Sequence, residues 1–130
     1  MKTHIELIHS AIIPPAPADG LREIGAQVEF QGIVREMENG AAIPGLHYEA
    51  YEPMARLTLE KIFQELAAVH PCAEVHFIHR LGFVPVGETS LFIRVQSAHR
   101  QAALQMTAEL INRLKADAPI WKSKTGSGGK

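Results

Sequence analysis

At Ser97 the apolar period of this chain changes from two to about 3.6, and no other feature constrains the fold as much. Before it, Thr89 to Ser97 places Leu91, Ile93 and Val95 on one face, as a strand does. After it, residues 98 to 116 place Ala103, Met106, Leu110, Ile111 and Leu114 on one side of a helix that Pro119 stops. A strand that runs straight into a one-sided apolar helix requires a sheet face for that helix to cover.

The rest of the chain supplies that sheet. Residues 4 to 9 read as an edge strand with Ile5 and Leu7 together. Pro14, Pro15 and Pro17 lack the amide donor a ladder needs, so residues 13 to 20 form a connecting loop, and Leu21 to Ile24 suit one helical turn. Ala26, Val28, Phe30, Gly32 and Val34 then alternate as a half-buried strand, with a bulge or close backbone approach at Gly32. Glu38-Asn39-Gly40 is a turn, and Leu46 to Tyr51 is the strand returning from it, which together predict a long hairpin. Pro53 suits a helix start, and Leu59, Ile62, Phe63, Leu66 and Ala67 follow at helical spacing until His70-Pro71. Residues 73 to 81, with Val75, Phe77, His79 and Leu81 on one face, pair antiparallel with 89 to 97 around Pro85-Val86-Gly87. The order strand, strand, strand, helix, strand, strand, helix describes an α+β fold with two main helices on a mainly antiparallel sheet. Residues 1–122 are expected to form one domain, and the glycine-rich 123–130 a flexible tail.

Composition narrows the function. Thirteen Lys and Arg against fourteen Asp and Glu leave a formal charge of -1, so no global field draws nucleic acid or membranes, and any anion binding must be local. One cysteine, Cys72, excludes an intrachain disulfide and fits a reducing compartment. With no long apolar run at the N-terminus, the expected location is the cytoplasm.

Local cations are the candidates. His99, Arg100, Lys115 and Lys122 bracket the second helix, and Arg35 ends the Phe30 to Val34 strand. Ser97 suits an N-cap, and first-turn amides beside Arg100 would favour phosphate or carboxylate. Each group alone reads equally well as a solvated cation, Lys115 especially, because a helix C-terminus attracts positive charge. Their position at element ends, where sites are built, favours an anion site. His76 and His79 point to opposite faces of one strand, so no metal site is expected. Tyr48, Glu49 and Tyr51 are read as packing or pairing across the sheet, and Cys72 as structural.

Six blocks in order carry a resemblance: Val28 to Arg35, Leu46 to Met54, Ile78 to Gly82, Pro85 to Glu88, Ser97 to Arg100, and Leu114 to Lys122. Together they resemble the MoaE family, the large catalytic subunit of molybdopterin synthase. The resemblance implies an α/β hammerhead-type fold and a homodimer that binds a small ubiquitin-like, MoaD-like sulfur carrier at each end. It implies sulfur transfer from the carrier's C-terminal Gly-Gly thiocarboxylate to cyclic pyranopterin monophosphate, forming the molybdopterin dithiolene; no cofactor is expected. By the same resemblance Lys115 and Lys122 are catalytic and Arg35, His99 and Arg100 bind substrate. His99-Arg100 is expected to reach a site shared across the dimer. After Lys122 the chain departs from the family, with Ser123-Lys124-Thr125 where an acidic residue usually follows.

A non-catalytic dimeric module that holds a carrier tail or phosphate is the alternative, and retention of the whole basic set favours catalysis. A nucleotide- or RNA-binding domain would need a P-loop, dinucleotide turn or stacking motif that the chain lacks.

Overall fold

A computed structural model describes residues 1–17 and 22–123. Among the described residues nine strands and two helices follow in the order β1 (Lys2–Ile8), β2 (Ala26–Ile33), β3 (Met37–Glu38), β4 (Ala41–Ala42), β5 (Gly45–Ala50), α1 (Glu52–Ala67), β6 (Glu74–Arg80), β7 (Gly82–Pro85), β8 (Thr89–Ser97), α2 (Arg100–Asp117) and β9 (Ile120–Ser123). The fold is α+β and of the hammerhead type: a mostly antiparallel four-stranded sheet, β1-β6-β8-β2, carries both helices, and a separate three-stranded sheet, β7-β5-β9, stands beside it. Among the described residues only β1 and β6 pair in parallel.

The helix-covered face follows the period-two pattern. Val75, Phe77, Leu91, Ile93 and Val95 from the central strands meet Leu59, Ile62, Phe63 and Leu66 of α1 and Ala103, Met106, Leu110 and Leu114 of α2. Burying each of the larger side chains contributes about 1.5–3 kcal/mol. Pro53 lies in the first turn of α1, where its missing amide costs nothing. Ala118 takes the extended conformation (φ -78°, ψ 137°) that a residue before proline requires, so α2 ends there.

Three expectations need correction. The Asn39-Gly40 turn exists, with both residues at positive φ, but it joins only the two-residue strands β3 and β4. No long hairpin forms, because the register shifts at Gly32/Ile33 and β5 pairs instead with β7 and β9. A second small core of Val34, Leu46 and Val84, with Ile43 and Tyr48 packed on it, draws these strands away from the main sheet. The strand order read from the sequence also lacks β7 and β9. Gly82, at φ +85°, turns the chain from β6 into β7, and β9 begins directly after Pro119.

Ser97 is not the N-cap of α2. That position belongs to His99, and the fully buried Ser97 hydroxyl instead donates to the His99 carbonyl. The helical turn expected at Leu21 to Ile24 lies partly outside the described residues, of which Arg22 and Glu23 form a turn. Ser123 still belongs to β9, and the remainder of the expected tail, 124–130, lies outside them. No helix of the described residues is long and apolar enough to cross a membrane.

A cationic cleft between the two sheets

The last turn of α2 and the ladder of β5 with β9 bring Lys115 and Lys122 into one cleft. Lys115 is fixed by helix periodicity: Leu114 beside it is buried against the sheet, which leaves Lys115 at the exposed margin. Lys122 is fixed by register, lying opposite Tyr48 across the β5–β9 ladder. Phe30, Tyr48, His79, Leu91, Ile120 and Trp121 are among the other residues lining the cleft, whose volume is about 480 Å³. That is within the range of pockets that hold small molecules, roughly 300–1,000 Å³.

The wall beneath the lysines is aromatic and partly polar. Tyr48 meets the His79 imidazole edge-on, with ring centroids 5.1 Å apart. His79 is buried, and its Nδ1 donates to the Arg80 carbonyl at 2.9 Å. Burial pushes its pKa below the ordinary histidine value and outweighs the opposing effect of that hydrogen bond, so the ring is held neutral at neutral pH. With the proton on Nδ1, Nε2 keeps its lone pair. On the floor, Ser90 donates to the Gly32 carbonyl at 3.2 Å beside the bulge.

Arg35 stands just past β2 and is mostly exposed, and Glu38 of β3 links it to the cleft. Glu38 lies 3.8 Å from the Arg35 guanidinium and 3.5 Å from Lys122 Nζ. Among the described residues no carboxylate stands within 4.0 Å of Lys115.

His99 and Arg100 lie elsewhere. Both are exposed at the start of α2, and the fifteen residues from Arg100 to Lys115 span about 22 Å along a helix. Gly25 approaches the Ala98 carbonyl so closely that a Cβ could not fit, which fixes the backbone just before this pair. One chain therefore gathers Arg35, Lys115 and Lys122 at one end of α2 and leaves His99 and Arg100 at the other.

Sequence reasoning missed Glu38, His79 and Tyr48 as neighbours of the cations. His79 carried a signal, a titratable ring in phase with Val75 and Phe77 on an apolar face. Glu38 carried none, because a turn-flanking glutamate is ordinary. Cys72 fits its structural reading: burial raises its thiol pKa, and Sγ lies 3.7 Å from the Ala102 carbonyl.

Residues 8–117 match the family model described as MoaE protein. A rice relative (Oryza sativa subsp. indica) described as molybdopterin synthase catalytic subunit is 37% identical over 114 residues, covering 86% of this chain and 59% of the relative. This chain thus spans less than two thirds of that relative's length. Among solved structures, molybdopterin synthase from Staphylococcus aureus superposes with a TM-score of 0.82 at 31% identity, covering 95% of this chain and 92% of that one. A second, described as a protein-protein complex of subunit 1 and 2 of molybdopterin-converting factor from Helicobacter pylori, gives a TM-score of 0.73 at 26% identity, with coverages of 92% and 83%.

Proposed function

This chain belongs to the MoaE family, and we propose that it acts as the sulfur-transferring large subunit of a molybdopterin synthase. In this reading a small MoaD-like carrier inserts its C-terminal Gly-Gly thiocarboxylate into the cleft and gives up its sulfur to cyclic pyranopterin monophosphate. Two transfers complete the dithiolene. One observation carries the reading: Lys115 and Lys122, separated in sequence by Pro119, line the same cleft.

The chemistry needs what that cleft supplies. Both reactants are anions, and when water adds to the carrier's acyl carbon, negative charge develops on the acyl oxygen before the carbon–sulfur bond breaks to leave a carboxylate on the carrier and the sulfur on the pterin. Fixed cations stabilise such charge without reorganising, and more strongly at a partly desolvated wall than in water. Lys115, with no carboxylate beside it among the described residues, serves as the central charge or proton donor at the reacting carbon. Lys122 and Arg35 hold the anions. The neutral His79 and the Tyr48 ring form a wall that adds no competing negative charge.

His99 and Arg100 are assigned to the substrate phosphate of a neighbouring protomer's site. Their separation from Lys115 within one chain supports a site completed across a homodimer. The Helicobacter pylori relative, described as a complex of two subunits, supports a carrier as partner.

Reconstitution tests the reading. The purified chain, a thiocarboxylated carrier and cyclic pyranopterin monophosphate should yield molybdopterin, and Lys115→Ala should slow its formation by about 10²- to 10³-fold. Carrier binding without product would instead support the non-catalytic module.

A further inference from the structure

Glu38 faces the cleft cations and has no place in the reaction above. Its side chain is 18% exposed, against 82% for Arg35 and 51% for Lys122, so two outreaching cations converge on one sheltered carboxylate. Both contacts, at 3.8 and 3.5 Å, are longer than a charge-assisted hydrogen bond. Elsewhere in the molecule Arg80 closes on Glu88, and Arg113 on Asp117, at 2.7 Å. Glu38 thus attracts its cations without closing on either.

Rigid backbone holds this arrangement from both sides. The β3–β4 hairpin fixes Glu38 through the positive-φ pair Asn39-Gly40 and the Ile43 amide, which donates to the Glu36 carbonyl at 2.8 Å. Lys122 is held by the β5–β9 ladder.

We propose that Glu38 is an internal competing anion, whose carboxylate occupies Arg35 and Lys122 until an incoming phosphate or thiocarboxylate takes its place. The proposal rests on the cleft being the anion site described above, and it adds to that site a residue that sets how tightly any anion is held. Displacing Glu38 costs the same whichever anion enters, so Glu38 weakens the hold of the Arg35–Lys122 pair on every anion by one common factor. No covalent step is involved: one ion pair is exchanged for another.

The test is a titration with inorganic phosphate and with acetate, followed by NMR shifts of the Trp121 indole and the Lys122 backbone amide. The proteins compared are wild type, Glu38→Gln, and Glu38→Gln combined with Lys122→Ala. Glu38→Gln should bind both anions about three- to tenfold more tightly, by similar factors. Adding Lys122→Ala should erase the gain. Unchanged or weaker binding in a folded Glu38→Gln protein overturns the proposal, as does the absence of phosphate-induced shifts in both wild type and Glu38→Gln. The reconstitution assay separates the two readings. If sulfur transfer fails while the Glu38→Gln gain persists, the enzyme assignment falls and this proposal stands. If transfer succeeds and Glu38→Gln leaves anion binding unchanged, only this proposal falls.

Discussion

Tyr48 on β5 meets His79 on β6 edge-on at 5.1 Å, and this contact joins the small sheet to the large one beneath the cationic cleft. Lys122 stands across the ladder from Tyr48, so the position of a charged group depends on an aromatic contact between two sheets.

Lys115→Ala is expected to lower turnover by about 10²- to 10³-fold, the usual cost of losing one preorganised group that stabilises transition-state charge. Lys122→Ala, which removes a proposed anion holder, should act mainly on KM. Steady-state kinetics with the thiocarboxylated carrier separate the two, and equal effects on kcat would contradict the division of roles.

If His99 and Arg100 serve a neighbouring protomer's cleft, two inactive variants should complement each other. Mixing Lys115→Ala with a His99→Ala/Arg100→Ala double variant, then allowing protomers to exchange, should yield activity that neither homodimer has. Continued inactivity after verified exchange would place all five residues in sites made by one chain.

His79 makes stability depend on pH. Its folded pKa lies below the ordinary value of about 6.5, so the unfolded chain binds more protons in that window. The sign is therefore loss of stability as pH falls from about 6.5 through the lowered folded value. Urea unfolding between pH 7.5 and 5 should show a steeper decline for wild type than for His79→Gln. Parallel declines would mean that other groups carry the effect.

Gly25→Ala drives a methyl group into the Ala98 carbonyl and must shift the backbone that presents His99. A cost of about 1–3 kcal/mol is expected, as for other forced steric insertions. Denaturant midpoints measure it. Activity should fall further than stability alone explains, because His99 and Arg100 move with that segment.

Much of the fold was legible because it rests on local periods. Alternation in β2 and β8 and helical spacing in α1 and α2 identify the apolar face of each element, and these faces do form the core. The error at Ser97 was of another kind: a serine before a helix has the chemistry of a cap, but the helix begins two residues later, after an extended His99, and the buried hydroxyl turns to a carbonyl instead.

By itself the sequence determined which residues must be buried, where helices must stop, and that its cations had to act locally rather than through a net field. Period, proline and charge balance are properties of neighbouring residues, so no distant partner is needed to read them. Tertiary structure alone decided that β5 joins β7 and β9 rather than β2, and so which side chains surround those cations. A strand's pattern states which face is apolar, whereas the edge it pairs with depends on a competition among distant segments. Here the small core of Val34, Leu46 and Val84 lies on the side that was chosen. The same pairing sets Lys122 across from Tyr48 and near Lys115 and Glu38, a neighbourhood that no local spacing encodes.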